Sequence, residues 1–126
     1  YARSTIAFLL ADEASSYKRW KDEFKDIFDS GRTVILFGSI IKNVKEAKDI
    51  DIMVVIKKGE YKQIKEVIDK RQQILPRPIH SIELTKEDLL KNLRQKGEEF
   101  VDIIRTGIVL YGHQDYVEVI RNVSGF

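Results

Sequence analysis

The sequence has no cysteine, so it can form no disulfide framework or thiolate zinc site, and it offers no thiol nucleophile. An excess of charge of one sign is also missing. Its 22 basic and 20 acidic residues leave a net charge of +2, which excludes the broad basic footprint of a dedicated nucleic-acid binder and requires any basic surface to be local. Long hydrophobic runs are lacking too. The stretch Ile6-Ala7-Phe8-Leu9-Leu10-Ala11 is too short to span a bilayer and is followed by Asp12 and Glu13. With no membrane segment and no secretory leader, a cytoplasmic location is expected. Repeats, low-complexity stretches and linkers are absent as well, and residues 1–126 read as one domain with a single compact core. The start at Tyr1 rather than Met, and the apolar character of residues 4–14, suggest a longer protein from which an N-terminal segment is missing.

What is present is a regular succession of periodic segments. Tyr17, Trp20, Phe24, Ile27 and Phe28 keep the three-to-four spacing of an amphipathic helix over 15–28, closed by Ser30-Gly31. Strands are expected at Thr33–Phe37 and Ile50–Ile56, followed by the turn Lys57-Lys58-Gly59. A second helix over 60–75 carries Tyr61, Ile64, Val67, Ile68 and Ile74 as its apolar stripe, and Pro76 and Pro78 mark the passage into a third strand over 77–84. Thr85-Lys86-Glu87-Asp88 has the form of a helix start, opening a helix that runs to about Gln95. Beyond Gly97, a short helix over 98–105, a strand over 107–112 and a helical tail over 114–122 complete the chain. This order predicts an α/β (α+β) fold, a mixed sheet flanked by helices.

The chemistry is concentrated between the first two strands. Leu36-Phe37-Gly38-Ser39 ends one strand in a small turn, and Asp49-Ile50-Asp51 opens the next. Side chains alternate along a strand, so Asp49 and Asp51 share a face about 7 Å apart, within reach of one or two hard cations. A backbone that approaches phosphate oxygens closely wants glycine, and a serine after it presents both N–H and hydroxyl to an anion, as Gly38 and Ser39 do. Taken singly, these are a plain turn and two ordinary acids. Together they complement each other, because Mg²⁺ favours a few carboxylates plus substrate phosphate oxygens. Asp51 also precedes the apolar run Ile52-Met53-Val54-Val55-Ile56, where an acid at the mouth of a buried strand needs a reason. Lys42, Lys45 and Lys48 lie between the turn and the aspartates, either as triphosphate ligands or as a solvated basic loop. A second patch of Arg71, Arg77, Lys86, Lys91 and Arg94 is conceivable, though no spacing demands it.

Gly-Ser, a spacer and Asp-X-Asp on the following strand resemble the signature of the nucleotidyltransferase superfamily related to DNA polymerase β, especially its minimal single-domain members. The resemblance covers roughly residues 33–111. It implies the nucleotidyltransferase fold, phosphate binding by Gly38 and Ser39, Mg²⁺ ligation by Asp49 and Asp51, and transfer of a nucleoside monophosphate from an NTP, ATP being the expected donor. The acceptor hydroxyl, on a protein, RNA or small molecule, stays open, as does a protein partner or homo-oligomer. Two departures stand out. Asn43 replaces a second glycine of many members, and asparagine tolerates the left-handed backbone better than other non-glycine residues. On the third strand, where members usually place a third carboxylate, this chain has His80, which fits either a general base or a polar strand residue. Glu83 is the only carboxylate there and falls on the opposite face from His80. The alternative is therefore a degenerate, non-catalytic module that binds nucleotide as a regulatory or antitoxin-like component.

Overall fold

The segment Ile50–Ile56 is apolar except at Asp51, and such a strand is stable only when both its faces are covered. In the computed structural model, which describes residues 17–95 and 97–123, Ile52 to Ile56 are all buried. Among the described residues the sheet has four strands: β1 (Thr33–Phe37), β2 (Ile50–Ile56), β3 (Ile79–Thr85) and β4 (Ile108–Tyr111), ordered β3-β2-β1-β4. β1 runs antiparallel to both β2 and β4, while β2 and β3 are parallel. The sheet is therefore mixed, as the sequence predicts. Helices α1 (Lys18–Phe24), α2 (Ser39–Lys42), α3 (Tyr61–Gln72), α4 (Lys86–Arg94), α5 (Glu98–Thr106) and α6 (His113–Arg121) connect and cover it. A parallel neighbour requires a crossover, and α3 supplies it between β2 and β3.

Alternation along the strands divides the core into two layers. Val34, Leu36, Ile52 and Val54 face Trp20 and Phe24 of α1 and Ile64 and Ile68 of α3. On the other side Ile35, Met53, Val55 and Leu84 meet Leu89 and Leu93 of α4, Ile103 and Ile104 of α5, and Tyr116 of α6. Thr85 caps α4 as expected, its Oγ1 accepting the Asp88 N–H at 3.2 Å. One ion pair ties loops to layers: the buried Arg32 donates to Glu60 at 2.8 Å and to the Ile27 carbonyl at 3.0 Å.

Several expected boundaries move. The first helix is α-helical only over Lys18–Phe24 and tightens into a 3₁₀ turn at Lys25–Ile27, while Phe28 is already extended. Ser15, Ser16 and the apolar stretch 4–14 lie outside the described residues. α3 stops at Gln72, so Ile74 is not part of a buried stripe and is 69 % exposed. Gln72 turns the chain there, its Nε2 donating to the Arg77 carbonyl at 2.9 Å and its Oε1 accepting the Ile79 N–H at 2.6 Å. β3 accordingly begins at Ile79 rather than 77.

Candidate active site

β1 ends at Phe37, and the antiparallel register sets Phe37 opposite Asp51, while the parallel register sets Asp51 beside His80. Cross-strand partners share a face, so Phe37, Asp51 and His80 form a row across three strands on the side covered by α4, α5 and α6. After Phe37 the backbone turns sharply at Gly38, with φ 80° and ψ −155°, a region open essentially to glycine alone. A Cβ at Gly38 would lie 2.2 Å from Oδ2 of Asp51, so the turn and this carboxylate are in direct contact. Ser39, exposed, opens the four-residue α2. Asp49 immediately precedes β2 and lies 3.6 Å from Nε2 of His80, whose side chain is 61 % exposed.

Burial is the main cause that raises the pKa of Asp51, with His80 lowering it and Asp49 raising it further. The start of β2 thus holds two mutually repelling carboxylates, one of them partly desolvated. A cation relieves both effects. Among the described residues no three His, Asp or Glu side chains converge into a preformed metal cage. The donor set nevertheless fits Mg²⁺, which takes one or two carboxylates and completes its shell with phosphate oxygens and water, and the glycine-lined contact leaves Asp51 uncovered by any side chain from residue 38.

Gly38, Ser39, Asp49, Asp51 and His80 are therefore gathered at one end of the sheet. Glu83 is not: it pairs with Val54 on the α1 and α3 side, and accepts the Ser81 hydroxyl at 2.8 Å. Lys42, Lys45 and Lys48 are exposed and form no ion pair among the described residues. Asn43 is not left-handed. Its φ of −154° is extended backbone, and its side chain accepts the N–H groups of Lys45 and Glu46 at 3.1 and 3.3 Å, closing the lysine loop in the place of a glycine turn. The second basic patch does not assemble, since Arg71 turns to Glu23 and Asp26 of the first helical segment and Lys86 to Glu118 of α6. A cavity of about 450 Å³ lies at the other end of the strands, lined by Gly31, Val55, Lys57, Lys58, Lys86 and Asp115 among others, and contains none of the site residues.

Phe37 is the neighbour that sequence reasoning did not assign. Its signal is its place at the end of β1, one residue before Gly38, but only the β1–β2 register puts it across from Asp51. A family model described as "Polymerase beta, Nucleotidyltransferase" matches residues 21–116, about three-quarters of the chain, including all of the gathered residues. No curated protein and no solved structure gives a significant match.

Proposed function

Because this chain belongs to the polymerase β nucleotidyltransferase family, we propose that it transfers a nucleoside monophosphate from an NTP, with ATP the expected donor, to a hydroxyl acceptor in a Mg²⁺-dependent reaction. The single observation that carries this reading is the contact of the Gly38 turn with Asp51, in one row with His80 and next to Asp49.

Asp49 and Asp51 would hold the metal. When bound, Mg²⁺ neutralises triphosphate charge and aligns the α-phosphate for in-line attack. Gly38 and Ser39 receive the phosphates, the first by leaving space for them and the second through its exposed hydroxyl. The acceptor oxygen forms a bond to the α-phosphorus, the bond from that phosphorus to the bridging oxygen breaks, and pyrophosphate leaves. The acceptor proton must go to a base. His80, exposed and 3.6 Å from Asp49, has the position for that role, with the carboxylate stabilising the imidazolium that results.

A second reading, a nucleotide-binding regulatory or antitoxin-like module without transfer, is favoured by one feature: the β3 position next to Asp51 is His80 and not a carboxylate. Incubation with each α-³²P-labelled NTP, Mg²⁺ and cell lysate separates the two. Label on a discrete macromolecule or small product, lost on omission of Mg²⁺, supports transfer. Calorimetric binding of Mg²⁺-ATP without transfer of label supports the module, and failure to bind any Mg²⁺-NTP removes both.

A further inference from the structure

The two edges of the sheet are treated differently. β4 has four residues, and its pairing with β1 slips between Val34 and Ile35, so that edge is short and irregular. β3 has seven residues in unbroken register with β2 and contains no lysine, arginine, proline or bulge, and its one carboxylate, Glu83, accepts the neighbouring Ser81 hydroxyl. The phase of its hydrogen bonding is fixed by the Ile50 N–H, which donates to the Pro78 carbonyl at 2.9 Å. In a parallel pair this turns the backbone groups of His80, Ile82 and Leu84 towards β2 and those of Ile79, Ser81 and Glu83 outwards. Gln72 satisfies the Ile79 N–H. The outward N–H and C=O groups of Ser81 and Glu83 have no partner among the described residues.

We infer that β3 pairs antiparallel with β3 of a second copy of this chain, about a two-fold axis at Ile82. The choice of a second copy rests on the self-complementarity of this strand. Ser81 and Glu83 flank Ile82 symmetrically, so each exchanges both backbone bonds with the other residue type of the second copy, and Ile82 meets Ile82 as a non-hydrogen-bonded pair. The same register sets a hydroxyl opposite each carboxylate and brings no two like charges face to face, since Glu83 lies across from Ser81 and His80 across from Leu84. Ile82, half-buried against the α4 and α5 layer, gains apolar cover from its equivalent. A net charge of +2 per chain offers little long-range repulsion. The result is one continuous sheet that joins the four described strands of each copy.

The absence of cysteine makes the test direct. Ile82→Cys introduces a single thiol on the proposed axis, where a non-hydrogen-bonded pair has Cα atoms about 4.5 Å apart, within the range a disulfide spans. Sedimentation equilibrium of the wild type should give twice the mass of one chain, and mild oxidation of the Ile82→Cys variant should give a cross-linked dimer. Ser81→Pro removes an outward N–H and the Ser81 hydroxyl bond to Glu83 but no bond to β2, so it should keep the wild-type circular dichroism spectrum and sediment as a monomer. If Ser81→Pro fails to fold, the cross-link decides alone. A wild-type monomer at high concentration, or a dimer that survives Ser81→Pro and does not cross-link through residue 82, overturns the inference.

Discussion

Gly38 carries two constraints at once. Its φ of 80° and ψ of −155° exclude other residues on backbone grounds, and its missing side chain leaves room for the Asp51 carboxylate. The neighbour a side chain would strike is thus the acid itself, not only an incoming phosphate. Gly38→Ala should cost about 1–3 kcal/mol of stability from the forced conformation, and should also displace Asp51. Calorimetry should then show Mg²⁺-ATP affinity reduced about tenfold or more, a loss of about 1.4 kcal/mol or above. Gly59 provides the control. It too has positive φ, at 93°, but among the described residues no atom beyond its immediate chain neighbours lies within 4 Å of where a Cβ would stand, so Gly59→Ala should strain the turn and leave binding unchanged. Wild-type affinity in Gly38→Ala would take the turn out of the site.

At the scale of elements, the sequence is informative where a periodicity of two or of three to four is long enough to read. Ile50–Ile56 is legible because five successive buried apolar residues follow one acid, and the closeness of Asp49 to Asp51 follows from their spacing of two, Asp49 helping to raise the Asp51 pKa although it lies just before the strand. Ile74 misleads for the same reason: it continues the spacing of α3, but Gln72 ends the helix by bonding both sides of the turn into β3. Register was illegible, and with it the row Phe37, Asp51, His80. So was the pair Arg32 and Glu60, 28 residues apart, which joins the entry of β1 to the start of α3. Glu60 accepts from Arg32 at 2.8 Å and from the Lys57 N–H at 2.8 Å. The Arg32 hydrogen bond first, and the Lys57 N–H second, hold its pKa below the ordinary 4.5. A lowered folded pKa means stability that is present above 4.5 and is lost as pH falls through the folded value. Glu60→Gln should therefore be less stable than wild type at pH 7 by about 1–3 kcal/mol, the range for a charged hydrogen bond and a weakened buried partner. Urea unfolding across pH should show that gap closing in acid. A gap independent of pH would mean that the Glu60 charge contributes nothing to the clasp.

For the whole molecule, the two apolar layers secure the sheet from both sides, and the repelling aspartates sit at one end of it without a cationic side chain other than a protonated His80 within ion-pair reach among the described residues. Such an arrangement makes global stability a readout of the site. The pKa of Asp51 is raised, chiefly by burial, so the carboxyl is easier to keep in the folded state when protonated: the stability it contributes is present below its unfolded value near 3.8 and is lost as pH rises through the folded value. At pH 7, without ligand, Asp51→Asn should consequently melt at the wild-type temperature or above, and this advantage should disappear in acid. Ligand reverses the order. At a concentration 100 times its Kd, Mg²⁺-ATP should stabilise the wild type by about 2.7 kcal/mol, raising its Tm by several degrees, whereas Asp51→Asn should show no such rise. An acid that served the fold would behave oppositely, because removing a paired or hydrogen-bonded carboxylate leaves its partner unsatisfied and lowers stability. If Asp51→Asn melts clearly lower than wild type without ligand, and Mg²⁺-ATP leaves the wild-type melting temperature where it was, Asp51 belongs to the structure of β2 and the metal-nucleotide site has to be given up.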